Sequence, residues 1–161
     1  MVHADASNFA ANVTKEEAYQ QVLDQAEGLF YEQRNWVCNL SNCAALLWHA
    51  FKSLPAPSNQ VNWAGPFQGK VACQTIAFGR GVCGAAAATK TTQLVPDVDA
   101  FPGHIACDGD SKSEIVVPIV VDDRVVAIID VDCAELNGFD EVDKVWLEKL
   151  ADLVGRSCDW P

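Results

Sequence analysis

Two short runs hold most of the side chains with chemistry to offer. VACQTIAFGRGVCGAAA, residues 71–87, carries Cys73 and Cys83 beside three glycines, and GHIACDGD adds Cys107. Three cysteines near glycine-rich loops are compatible with a metal site, a disulfide framework, a redox centre or core packing. Zinc needs a fourth ligand, and His104 is the candidate. Yet zinc sites usually show a close C-x₂₋₄-C pair, and no such pair exists among these three. A reactive thiol needs thiolate character, supplied by a positive neighbour or a helix N-terminus. Cys83 meets that description, with a predicted helix start beneath it and Arg80 three residues before it. Cys107 is flanked by Asp108 and Asp110, whose charges by themselves oppose a thiolate.

IIDVD supplies the second group. Alternate strand residues share a face, so Asp130 and Asp132 point one way while Ile129, Val131 and Cys133 point the other. A wet sheet face would account for the aspartates, but Ile128 shares their face and RVVAII is apolar on both. A strand covered on both sides rarely holds two carboxylates unless a cation sits there. Glu114 joins them if the hairpin between EIVVPIVV and RVVAIIDVDC turns through three residues, Asp122 to Arg124. That register sets Glu114 opposite Asp132, whereas a two-residue loop would send it to the other face. Three convergent carboxylates suit an ammonium group. Mg²⁺ or Ca²⁺ is the competing occupant, though neither an EF-hand spacing nor a phosphate loop accompanies them.

These residues depend on the elements around them. TKEE reads as a capping box, with Glu17 three residues after Thr14, and Ala18, Val22, Ala26 and Leu29 follow at helical spacing. A second amphipathic helix is predicted from about Asn35 to Ser53, with Trp36, Leu40, Cys43, Leu47 and Phe51 on its stripe, ended by LPAPSN. QVNWAG and GKVACQTIAF then read as strands, GVCGAAAATK as a short helix, and QLVPDV as a brief strand. DAFPGHIACDGDSK reads as a polar loop, and a last helix starts near Asp140 with Val142, Trp146, Leu150 and Leu153 on its buried face. Helices, then strands, then a helix predict an α+β domain with helices packed on an antiparallel sheet. Cys38, Cys43, Cys133 and Cys158 are expected to be buried thiols.

Composition narrows the partners. The 161 residues fit one domain, 1–161, with residues 1–14 as an N-terminal arm, and the net charge is −11. Such a surface repels phosphate backbones and anionic lipid, which argues against nucleic acid and membrane partners. The N-terminal residues lack a secretory pattern, so a cytoplasmic location is expected, and seven cysteines there point away from structural disulfides.

NWVCNLSNCAALLWHAF, VNWAG, GPFQGKVACQTIAFGRGVCGAAAATK, VPDVDAFPGHIACDGDSKSEIVVPI, IIDVDC and GFDEVDKVWLEKL, in that order, resemble the free methionine-(R)-sulfoxide reductases, a family of GAF-fold enzymes. The resemblance covers nearly the whole chain. It implies a GAF-like sheet of about five or six strands and reduction of free L-methionine (R)-sulfoxide through a cysteine sulfenic acid and an intramolecular disulfide. It implies Cys107 as nucleophile and Cys73 and Cys83 as resolving cysteines. Glu114, Asp130 and Asp132 would hold the substrate's amino group, with Trp63 as an aromatic wall over its S-methyl group. No bound cofactor or metal is expected, only an external dithiol of the thioredoxin type, and a homodimer is implied by the family alone. The alternative is a GAF sensor domain that binds a small molecule without turnover. Adding substrate would then consume no thiols, against two per molecule in the enzyme.

One stretch departs from the family. Its members usually read W-x-G-F-Y, then a further strand and turn, before G-P-F-Q-G, whereas here NWAG runs straight into PFQG. A real deletion would leave a neighbouring strand unpaired at a sheet edge and no residues for a hairpin loop, which folds avoid, so a further segment with a pocket tyrosine is expected to stand at Gly65–Pro66.

Overall fold

Helix α1 (Lys15–Phe30) begins at the predicted capping box. Thr14 Oγ1 accepts from the Glu17 amide at 3.2 Å, and Glu17 Oε2 accepts from the Thr14 amide at 2.8 Å. Helix α2 (Trp36–Ser53) starts at Asn35, whose side chain accepts from the Cys38 amide at 3.0 Å. The structure is a computed structural model and describes residues 8, 9, 12–65, 68–71, 73 and 75–161. After α2 come β1 (Val61–Ala64), β2 (Gln68–Gly69), α3 (Gly81–Thr89), β3 (Gln93–Val95), β4 (Ser113–Val121), β5 (Arg124–Cys133) and α4 (Glu141–Ser157). The strands form one antiparallel sheet in the order β2-β1-β5-β4-β3.

Alternation along β4 and β5 sorts the side chains into two layers. Ile115, Val117, Ile119, Ile129 and Val131 pack into the main core with α1, α2 and α4. On the other face Val116 packs with Val82, Ala86, Val95 and Val98, and Ile128 leans on that smaller cluster. The sheet is therefore covered on both sides, as the doubly apolar RVVAII run requires. Among the described residues no helix is long and apolar enough to cross a membrane.

The β4–β5 hairpin corrects one expectation and keeps its consequence. Its loop is two residues, Asp122 and Asp123, because Val121 pairs with Arg124 and Val120 with Val125. Both aspartates have positive φ, 48° and 59°, as a tight two-residue hairpin loop demands. Two-residue geometry alone would have turned Glu114 to the core face. The register then shifts: Ile119 pairs with Ala127, leaving Val126 as the extra residue of a β-bulge. Beyond the bulge Glu114 faces Asp132 and Val116 faces Asp130. The bulge restores what the shorter turn would have reversed.

Among the described residues of GKVACQTIAF only Gly69 pairs, in β2 with Gln68 before it, and those from 70 to 78 add no strand. Its apolar residues were read as sheet-forming, but Val71 and Phe78 are strongly exposed and no neighbouring strand takes up this backbone. Cys38 is likewise exposed, unlike buried Cys43, Cys133 and Cys158, because it lies in the first turn of α2 on the side away from the core.

Trp63 pairs with Gly69 and Ala64 with Gln68, so β1 and β2 stand as an antiparallel pair where no residues for a hairpin were expected. The Gly65–Pro66 step reaches residues 66 and 67, which lie outside the described residues. Among the described residues, the unpaired edge that a real deletion would leave is present, against the expectation of a further segment. β1 pairs with β5 only at Val131, Asp132 and Cys133, and the Gly65 amide reaches the Asp130 carbonyl at 2.8 Å. From 124 to 129, no described strand pairs with β5 on that side.

Candidate active site

The sheet register brings Glu114, Asp130 and Asp132 onto one face, beneath the N-terminal turn of α3. Cys83 in that turn points at them, its Sγ 3.3 Å from Asp130 Oδ2 and 3.7 Å from Glu114 Oε1. Glu114 is buried, and the second oxygen of Asp130 is a buried acceptor with no partner. Burial, then the charges of Asp130 and Asp132, pushes the Glu114 carboxyl well up from its ordinary range. Burial raises Asp130, and burial followed by the charge of Asp130 raises Asp132. The Cys83 thiol is driven far up by burial and then by the adjacent carboxylates. The helix N-terminus that suggested a thiolate at Cys83 is thus outweighed by three acids, and the group is a thiol proton donor.

α3 reaches this position because Gly84 has no side chain. A Cβ there would collide with the Ala77 carbonyl, and the chain at 77–80 folds tightly under the helix, with the Gly79 amide donating to the Gly84 carbonyl at 2.7 Å. Lys90 at the far end of α3 donates to Asp123 Oδ1 at 2.6 Å, tying the helix to the hairpin tip.

Cys73 and Cys107 are joined by a disulfide, with their Cα atoms 5.6 Å apart, and both are exposed. The aspartates flanking Cys107 have a partner that the sequence reading missed. Lys70 Nζ lies 3.1 Å from Asp108 Oδ1 and 2.5 Å from Asp110 Oδ2. Asn62 Nδ2 donates to Asp108 Oδ2 at 3.1 Å and to Ser111 Oγ at 3.0 Å. The Asp110 amide and Lys70 hold the Asp108 carboxyl below its usual range. A cation three residues before Cys73 was the available signal, but its partners are about forty residues away in the chain. The charge objection to Cys107 is therefore partly offset by the fold.

Trp63 lies opposite Asp132 on the neighbouring strand, and directly opposed residues share a face. Its indole is held between glycines. A Cβ at Gly65 would lie 2.7 Å from Trp63 Nε1, and one at Gly69, where φ is +124°, would lie 2.6 Å from Trp63 Cε3. Trp63, Cys73, Cys83, Cys107, Asp130 and Asp132 all line one cavity of about 870 Å³. A small recess of about 20 Å³ opens beside it, bounded by Glu114, Asp130, Asp132, His104 and Cys83. That is room for one water-sized group. His104 Nε2 sits 3.9 Å from Glu114, so it belongs to the acid cluster and is not grouped with the three cysteines. Cys83, Glu114 and Asp130 place ligand atoms within 4.8 Å of one another. A divalent ion there would have to displace the protons these raised groups retain.

An acid-lined recess the size of an ammonium, beside a two-cysteine redox pair and an indole wall, can bind an amino compound and exchange electrons with it. Comparison with known proteins gives the same chemistry. The chain matches the GAF domain family over residues 13–157. It is 55% identical to the free methionine-R-sulfoxide reductase of Saccharomyces cerevisiae over 172 residues, covering 97% of this chain and 94% of that protein. The alignment is longer than the chain's own 161 residues, so the yeast protein carries segments that this chain lacks. The Escherichia coli enzyme of the same name is 35% identical over 86% of this chain and 87% of its own. The crystal structure of the Neisseria meningitidis free methionine-R-sulfoxide reductase with its substrate superposes with a TM-score of 0.81 at 42% identity, covering 93% of each chain.

Proposed function

The chain belongs to the free methionine-R-sulfoxide reductases of the GAF-domain family, and from that premise we infer how its residues share the work. It reduces free L-methionine (R)-sulfoxide to L-methionine. The observation that carries the reading is one cavity shared by the Cys73–Cys107 disulfide and the carboxylates of β5.

The substrate ammonium enters the recess between Glu114, Asp130 and Asp132, where the unpartnered Asp130 oxygen gains a donor. Trp63 packs on the S-methyl group. The Cys107 thiolate attacks the sulfoxide sulfur while a carboxyl, Glu114 foremost, protonates the oxygen, since unprotonated oxide does not leave. Burial supports that role, because it keeps the acid protonated at neutral pH. Methionine departs as the thioether and Cys107 becomes a sulfenic acid. The Cys73 thiol condenses with it, releasing water and forming the Cys73–Cys107 bond, which two electrons from a thioredoxin-type dithiol reopen. Both sulfurs are exposed, which supports reduction from outside. Cys83 is the second resolving thiol, reached from within the pocket. Such a cycle belongs in the cytoplasm, where dithiol reductants are maintained.

The test is a thioredoxin-coupled assay of the separate R and S epimers of free methionine sulfoxide. Turnover of the R epimer with little of the S is expected. Equal rates, or none, would remove the reading, and a reduced protein that loses no thiols on adding substrate would be a sensor instead.

A further inference from the structure

We propose that Lys70 is a positioning residue for disulfide closure: its ion pairs hold the Cys73 loop against the Cys107 loop while both thiols are free. Its place in the cycle follows from the reductase reading above. Cys73 and Cys107 lie 34 positions apart in the chain, on two separate loops. Once a dithiol has reopened their bond, the two sulfurs must meet again on every turnover. At closure the Cys73 sulfur attacks the sulfenic sulfur of Cys107. The S–S bond forms, the S–O bond breaks, and the oxygen leaves as water carrying the Cys73 proton. That step runs only as fast as the loops are kept together.

Lys70 makes a second, reversible link between the same two loops. It stands three residues before Cys73, and Asp108 follows Cys107 directly. Lys70 Nζ lies 3.1 Å from Asp108 Oδ1 and 2.5 Å from Asp110 Oδ2. The receiving end is itself built. The Asp110 amide donates to Asp108 Oδ1 at 3.1 Å, and Asn62 Nδ2 donates to Asp108 Oδ2 at 3.1 Å and to Ser111 Oγ at 3.0 Å. Asn62 belongs to β1, which pairs with β5, so the Cys107 loop is fastened to the sheet and Lys70 reaches across to it. The Asp108 side chain is only 13% exposed, so this pair is screened less than one in open solvent.

Disulfide and ion pairs close the same gap, so each favours the other by the same factor. Two pairs of this exposure together are worth about fivefold in that equilibrium. The direction opposes what the lysine's charge alone would do. A cation beside Cys107 stabilises its thiolate, hence the open dithiol, and makes the disulfide easier to reduce. A clamp favours the closed disulfide and makes it harder to reduce. The sign of the change on removing Lys70 therefore separates the two roles.

The deciding measurement needs no substrate. The native chain, Lys70→Met and Lys70→Arg are equilibrated in glutathione buffers of graded ratio, and the Cys73–Cys107 bond is followed by peptide mapping. Methionine keeps the length of the side chain and loses the charge. Lys70→Met is expected to be about fivefold easier to reduce, a potential higher by about 20 mV, with Lys70→Arg near the native value. In about 1 M salt the native chain should move toward Lys70→Met, which should itself move little. Single-turnover mixing with free methionine (R)-sulfoxide and dimedone should trap several-fold more Cys107 sulfenic acid in Lys70→Met, while methionine release slows less. An unchanged or lower potential in Lys70→Met overturns the proposal, and so does an arginine that fails to restore the native value. A native chain that releases no methionine removes the reductase reading instead, and the potentials still decide whether Lys70 clamps the loops.

Discussion

Cys107→Ser is expected to lower turnover of free methionine (R)-sulfoxide by about a thousandfold or more, because no thiolate remains to attack sulfur. Cys73→Ser should behave differently. It keeps the nucleophile but removes the thiol bonded to it, so rapid mixing should show a burst of about one methionine per enzyme and then a slow phase, set by whether Cys83 can take over. Cys38→Ser should leave both activity and stability unchanged, since that thiol is exposed and remote from the cavity. Cys43→Ser and Cys158→Ser should keep activity per folded molecule, at some loss of stability, because each puts a hydroxyl into the core. Substantial activity in the Cys107 variant would transfer the nucleophile's role to Cys83, the one other cysteine lining the cavity besides Cys73.

Asp130→Asn is the other large effect. Losing one charged acceptor of the substrate ammonium should weaken binding by about 1.5–3 kcal/mol, on the order of ten- to a hundredfold in KM. The variant should have the opposite effect on the empty protein. All three carboxyls are raised in the folded state by burial, and Glu114 and Asp132 also by the charge of Asp130. Above the ordinary carboxylate pKa of about 4, the folded protein therefore holds more protons than the unfolded chain, and stability falls as pH rises. Asparagine at 130 removes part of that slope. Thermal unfolding from pH 5 to 8 should show a flatter decline for Asp130→Asn than for the native chain. An unchanged KM would mean the ammonium sits elsewhere.

How far the sequence carried this reading depends on how local each signal was. The capping box at Thr14 and Glu17 is a three-residue pattern, and it sets the start of α1 as expected. The shared face of Asp130 and Asp132 follows from strand alternation alone. GKVACQTIAF failed because β-propensity says only that a segment would suit a sheet, and among the described residues no strand beyond β1 stands beside it to receive it. Lys70 was missed for a similar reason: its partners Asp108 and Asp110 are close only after folding. Cys38 was expected to be buried from its residue type alone, and its place off the apolar stripe of α2 decided its exposure. The acids were brought together through an argument that was half wrong, since the turn has two residues and the bulge at Val126 makes up the difference.

That bulge gives the hairpin a kind of reading frame. The tip at Asp122 and Asp123 is solvent-exposed and far along the strands from Glu114, a place where gain or loss of residues is ordinarily harmless. Here loss of the Val126 codon would only remove the bulge and leave Glu114 facing Asp132, whereas Val126 retained and drawn into the ladder would set Glu114 opposite Val131 and turn it into the main core. In genetic terms Val126 is a spare letter: the acids stay in frame without it and fall out of frame only when it is read into the ladder.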